Sequence, residues 1–83
     1  MLEIPPRLRW SCRRGMLELD VLLGGFLEGA YLNLSAHDQE VFVKLLDCND
    51  QELFEWFTKK AESSNPEFVL MIETILEYAK NKH

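Results

Sequence analysis

Only two cysteines, three prolines and four glycines occur among the 83 residues, and each scarcity excludes something. Cys12 and Cys48 permit one disulfide by arithmetic. With no signal-peptide apolar region or cleavage site in "MLEIPPRLRW", though, two reduced, semi-buried thiols are expected. No CxxC or HxxxH spacing exists, and His37 and His83 are far apart, so no metal site is expected. So little proline and glycine, beside 47% hydrophobic and 28% charged residues, argues for a folded chain rather than a disordered one. No apolar run approaches the roughly 18 residues needed to cross a bilayer. A soluble, cytoplasmic protein with no direct membrane insertion is therefore expected.

Enzyme signatures are missing too. GxSxG, the phosphate loop and GxGxxG are absent, and Gly24-Gly25 sits inside an apolar stretch ahead of Phe26, which is no phosphate cradle. The carboxylates fall on faces that a solvated helix explains, and His37 falls in a first turn where a surface role is the simpler reading. No catalytic residue is expected.

Basic charge is scarce everywhere but at one end. The net charge is −5, yet residues 1–14 hold Arg7, Arg9, Arg13 and Arg14 against Glu3 alone, and the rest holds five lysines against thirteen acids. Nucleic acid needs a broad basic face, so it is not the expected partner. Four clustered arginines could instead read carboxylates or phosphates on a protein or cofactor.

What is present is helical spacing. β-Branched residues are few, and the apolar residues recur at three and four throughout. Pro5-Pro6 reads as an extended lead-in to a short helix over "RLRWSCRR", closed by Gly15 in a left-handed conformation. A second helix is expected from Met16 to Tyr31, with Leu19, Leu22, Leu23, Phe26 and Ala30 inward and a kink or early end at Gly24-Gly25. Ser35 with Asp38, and Asn49 with Glu52, mark two capped starts. Their inward residues are Val41, Phe42, Leu45 and Leu46 in the first helix, then Leu53, Trp56 and Phe57 in the second. Asn65-Pro66 opens a last helix with Phe68, Ile72, Ile75, Leu76 and Ala79 inward. The expectation is one all-α domain over residues 1–83, a compact five-helix bundle with short loops.

Two features stand apart from what such a bundle requires. Trp10 lies among arginines, and tryptophan and arginine are frequent interface anchors. The alternative is that Trp10 packs over the end of the bundle. In "RRGMLELD", Arg14 precedes Glu18 by four residues, the weaker order for an intrahelical pair, worth about 0.2–0.5 kcal/mol at best. Stability alone gives little reason for that pair.

The segment "WSCRRGMLELD" followed by "LLDCNDQELFEWF" resembles the SdhE family of flavoprotein assembly factors, whose R-G-x-x-E signature is carried here by Arg14, Gly15 and Glu18. The resemblance runs from Arg7 to about Tyr78. It implies a bacterial, non-catalytic helper that binds the flavoprotein subunit of succinate dehydrogenase or fumarate reductase and promotes covalent attachment of FAD. The surface it implies is centred on Arg14, Gly15 and Glu18, with Trp10, Arg13 and Met16 beside them as partner-binding candidates. FAD would belong to the partner. The net negative charge and missing phosphate loop argue against a tight dinucleotide site on this chain. A monomer when free is expected. The alternative attached to the same family is an antitoxin that counteracts a membrane-associated toxin. Nothing in these residues argues for it.

Overall fold

Capping side chains decide where the helices begin. In the computed structural model, which describes residues 4–81, the chain forms α1 (Pro6–Ser11), α2 (Leu17–Ala30), α3 (Ala36–Leu46), α4 (Asp50–Phe57) and α5 (Pro66–Asn81). A 3-10 turn at Tyr31–Asn33 joins α2 to α3. Ser35 Oγ accepts the Asp38 N–H at 3.1 Å, and Asn49 Oδ1 accepts the Glu52 N–H at 2.8 Å. Asn65 Oδ1 takes the Glu67 N–H at 2.9 Å, with Pro66 at the first helical position, where its missing N–H costs nothing. Among the described residues there is no strand, and no helix is long and apolar enough to cross a membrane.

The fold is all-α, and α5 is the element the others share. Helices α2, α3 and α4 each pack on it, and α2 also touches α4. All four inward residues expected of α3 are buried, as are Leu19, Leu23 and Phe26 of α2, Leu53 and Phe57 of α4, and Ile72 and Ile75 of α5. Leu22, Ala30, Trp56, Phe68 and Leu76 pack against this core from half-buried positions, while Leu27 and Met71 join it unforeseen. Each fully buried leucine or phenylalanine contributes on the order of 1.5–3 kcal/mol. Phe26 sits at the centre of an aromatic group, 5.6 Å from the Phe42 ring and edge-on to Tyr78 at 5.5 Å.

Four expectations about the first half are corrected. Pro6 is not lead-in but the first residue of α1, because its fixed φ already suits a helix. The helix stops at Ser11, whose Oγ turns back to the Arg7 carbonyl at 3.1 Å, so Arg13 and Arg14 lie beyond it. Gly15 is not left-handed; no glycine has positive φ, and among the described residues that conformation falls to Lys59 (φ 66°) after α4. There it lets the Lys60 N–H reach the Glu55 carbonyl at 2.9 Å. Gly24-Gly25 neither ends nor interrupts α2, since the flanking leucines and phenylalanine are anchored in the core.

Gly29, not the pair, is the glycine this packing requires. A Cβ there would fall 2.8 Å from Tyr78 Cζ and closer still to its hydroxyl, whereas a Cβ at Gly24 or Gly25 meets nothing within 4 Å. The Tyr78 ring is held edge-on by Phe26, so it cannot swing away freely. Overpacking of this kind costs about 1–3 kcal/mol, enough to outweigh the roughly 1 kcal/mol that alanine gains over glycine in a helix. Gly29→Ala should therefore lower the melting temperature, while Gly24→Ala or Gly25→Ala should raise it by about 4 °C. Thermal denaturation of the three variants checks the opposite signs.

On the far side, exposed His37 and Glu67 form an ion pair between the starts of α3 and α5. The hydrogen bond that the protonated ring donates to the Glu67 carboxylate raises the His37 pKa above its usual 6.5. A raised folded-state value means the stabilisation is fully present below pH 6.5 and is lost as pH rises through the higher value. An NMR titration should find His37 above 6.5 in the folded protein, and Glu67→Gln should bring it back down.

Candidate docking site

The corner between α1 and α2, residues 12 to 16, is held from both sides. Cys12 turns into the core, where its thiol meets the Leu23 carbonyl at 3.8 Å. Burial pushes that thiol up to about 11, only partly offset by Arg14, and burial likewise raises Cys48. Both cysteines are free, and at neutral pH both stay protonated and weakly nucleophilic. Among the described residues, no group of three or more histidine, cysteine or acidic side chains is placed to hold a metal. His83 lies outside the described residues.

The next two residues are fixed by carboxylates from two different helices. The Arg14 N–H donates to Asp20 Oδ1, within α2, and the Gly15 N–H donates to Asp50 Oδ2 at 3.2 Å, from α4. The Arg14 side chain does not point outward as a free fork. Its guanidinium, on a side chain only 14% exposed, donates to the Leu46 carbonyl and to the Cys48 carbonyl at 3.3 Å, and faces Asp50 Oδ1 at 3.5 Å. The Leu46 carbonyl belongs to the end of α3, where helical carbonyls lack partners of their own, and the Cys48 carbonyl lies in the link to α4. A cation there also meets the negative end of the helix dipole. So Arg14 joins the corner to the α3–α4 junction, and it does not pair with Glu18.

Glu18 is what remains outside. It sits in the first turn of α2, exposed, with no hydrogen bond or ion pair among the described residues. Gly15 beside it is exposed, and its missing side chain leaves the corner backbone open to approach. Met16 is half-buried against the core, while Leu17 is 74% exposed and Val21 64%. Leu17, Val21, Gly24 and Glu28 recur at helical spacing along one outward stripe of α2.

Trp10 does not fold over the bundle end. It stands 73% exposed on α1, with the Arg13 guanidinium 5.7 Å from its ring centre. Trp10, Arg13, Gly24 and Leu27 line an open groove of about 440 Å3 between α1 and α2, which the exposed Arg9–Glu28 ion pair spans. The absent side chain of Gly24 contributes to its depth.

Trp10, Arg13, Gly15 and Glu18 are thus exposed, with Met16 and Arg14 turned inward; Trp10 and Arg13 line the α1–α2 groove, and Gly15 and Glu18 are not among its lining residues. Sequence reasoning missed Asp20 and Asp50 as anchors, and Val21 and Gly24 as surface.

Comparison with known proteins gives this corner a family. Residues 6–79 match the family model described as flavinator of succinate dehydrogenase. The chain belongs to that family. It is 47% identical over 76 residues to a Pseudomonas putida protein named FAD assembly factor SdhE, covering 92% of this chain and 90% of that one. It is 48% identical over 66 residues to the Shewanella oneidensis protein of the same name, covering 80% of each. An Aliivibrio fischeri protein of that name is 40% identical over 80 residues, 96% of this chain and 93% of its own length. Within R-G-x-x-E of this family member, Arg14 is turned inward and holds the corner, while Glu18 is exposed.

Proposed function

We propose that this protein is a non-catalytic FAD assembly factor that binds the flavoprotein subunit of succinate dehydrogenase, and that of fumarate reductase, and promotes covalent attachment of FAD. The observation that carries the reading is the family match across residues 6–79. The corner is the candidate surface because its glutamate is exposed and has no partner among the described residues. The docking surface is built on Arg14, Gly15 and Glu18, extended by Trp10, Arg13 and Met16. Trp10 and Arg13 offer an aromatic anchor and a cation at one end of an otherwise acidic molecule.

The bond to be made joins a histidine of the flavoprotein to the flavin 8α-methyl carbon, and the flavoprotein supplies that chemistry. Negative charge builds on the isoalloxazine ring as it forms. A helper raises the rate by holding the flavoprotein so that histidine, flavin and charge-stabilising groups are aligned. FAD stays with the partner, and the helper acts as a cytoplasmic monomer.

Reconstitution tests this. The apo-flavoprotein subunit and FAD are incubated with and without this protein, and covalent flavin is read by fluorescence in a denaturing gel. A tenfold or greater acceleration is expected, well within what positioning can supply. No acceleration with either flavoprotein would overturn the reading, and saturable micromolar binding of free FAD would overturn the statement that the cofactor belongs to the partner.

A further inference from the structure

We infer that Asp50, 35 residues beyond Gly15 and on a different helix, is the positioning residue that sets the docking corner in its binding-competent shape. The inference rests on the docking reading above and adds to it a residue that lies outside the R-G-x-x-E pattern.

Asp50 uses both carboxylate oxygens on the corner. Oδ1 faces the Arg14 guanidinium at 3.5 Å, and Oδ2 accepts the Gly15 N–H at 3.2 Å. An aspartate at the start of a helix often serves as its cap, but that task belongs here to Asn49, whose Oδ1 takes the Glu52 N–H. Asp50 stands one position later, at the first helical residue of α4, with its oxygens free to reach across to the corner. The positive end of the α4 dipole favours its charge there.

The contact goes through the backbone amide of a glycine that neither space nor conformation requires. A Cβ at Gly15 would lie 3.6 Å from Asp50 Oδ2, an ordinary contact, so Gly15 is not needed to make room for Asp50. Its φ is not positive either, so the bend does not demand it. With no side chain and no special backbone conformation, the position of Gly15 is fixed by what holds its amide, and the long-range holder is Asp50. Asp20 holds the preceding amide, but from only six residues away within the start of α2. It therefore fixes the corner to α2 and not to the rest of the bundle. Glu18 follows three residues after Gly15, so the anchor that orients the corner orients the carboxylate a partner meets. Without Asp50 the Arg14 side chain still reaches the Leu46 and Cys48 carbonyls, but the Gly15 amide is no longer held. The bend at Gly15 then samples other shapes, and apparent affinity falls by the fraction that remains competent.

The test uses the whole protein as Asp50→Ala and Asp50→Asn, read by hydrogen exchange at the Gly15 amide and by affinity for the flavoprotein subunit. Asp50→Ala removes both contacts, while Asp50→Asn keeps an oxygen for the Gly15 N–H and gives up the charge facing Arg14. Gly15 exchange should rise about tenfold in Asp50→Ala and less in Asp50→Asn. Affinity should fall in the same order. In a Glu18→Ala background, Asp50→Ala should cause little further loss, because both act through the same contact. Unchanged Gly15 exchange in Asp50→Ala would overturn the inference. So would a loosened corner with undiminished affinity, or a full additional loss in the Glu18→Ala background, which would put Asp50 in direct contact with the partner. Should Asp50→Ala fail to fold, Asp50→Asn carries the same two readouts. If Glu18→Ala alone leaves affinity intact, the docking reading fails at that residue, while Gly15 exchange still reports separately whether Asp50 holds the corner.

Discussion

Glu18→Ala should leave the bundle folded and cut covalent flavin in the partner at least tenfold when the helper is limiting. The physical case starts from what Glu18 lacks. It is exposed in the first turn of α2 and has no partner within the described residues, so its removal forfeits only a favourable interaction with the helix dipole. That interaction is worth about 0.3–1 kcal/mol, a small part of the stability of a domain this size. At an interface the same carboxylate would accept charge-assisted hydrogen bonds worth about 1.5–3 kcal/mol, which corresponds to a tenfold to hundredfold change in affinity. Glu18→Gln, which keeps the shape and gives up the charge, should fall between. Gly15→Arg should behave like Glu18→Ala, because the position is exposed and its φ is not positive, so the fold accepts a side chain that a docking partner would not. Circular dichroism on the free variants and in-gel flavin fluorescence on the partner separate the two effects. A folded Glu18→Ala protein that supports normal flavin attachment would remove Glu18 from the docking surface.

Residues whose role is local were legible in the sequence. Ser35, Asn49 and Asn65 cap their helices because a side-chain oxygen two or three residues before an amide is a local geometry, and the core faces of α3 to α5 follow from spacing. What was not legible depended on contacts between distant segments. Gly15 reads as a left-handed helix stop in isolation, yet Asp50 pins its amide from another helix and gives the bend a different conformation. Arg14 and Glu18 read as neighbours four apart, but the helix does not run through them, and Arg14 is drawn to carbonyls more than thirty residues away. Gly24-Gly25 reads as a break because propensity is additive along a segment. Burial of Leu23, Phe26 and Leu27 on either side supplies more than the glycines forfeit. Within R-G-x-x-E, only the fold shows that Arg14 turns inward while Glu18 stays exposed.

That division predicts the opposite outcome for its arginine. Arg14→Ala should destabilise the free protein by about 2 kcal/mol, lowering the melting temperature by about 8–16 °C for a chain of this length. Three groups lose the guanidinium at once: the Leu46 carbonyl, the Cys48 carbonyl and the Asp50 carboxylate, which keeps the Gly15 N–H on its other oxygen. The cost stays below that of a fully buried ion pair, about 3–5 kcal/mol, for two reasons. The Asp50 side chain is 32% exposed, so water can replace part of what it loses. The Arg14 Nε is buried without a hydrogen-bond partner among the described residues, so removing it also relieves a desolvated donor. Arg14→Lys should recover only part of the loss, since an ammonium is a point charge and cannot span two carbonyls and a carboxylate as the planar fork does. Thermal melts of Arg14→Ala, Arg14→Lys and Glu18→Ala, run side by side without partner, test the split. An Arg14→Ala protein melting within about 2 °C of its parent would mean the guanidinium holds nothing together, and the inward arginine would then need a role at the interface instead.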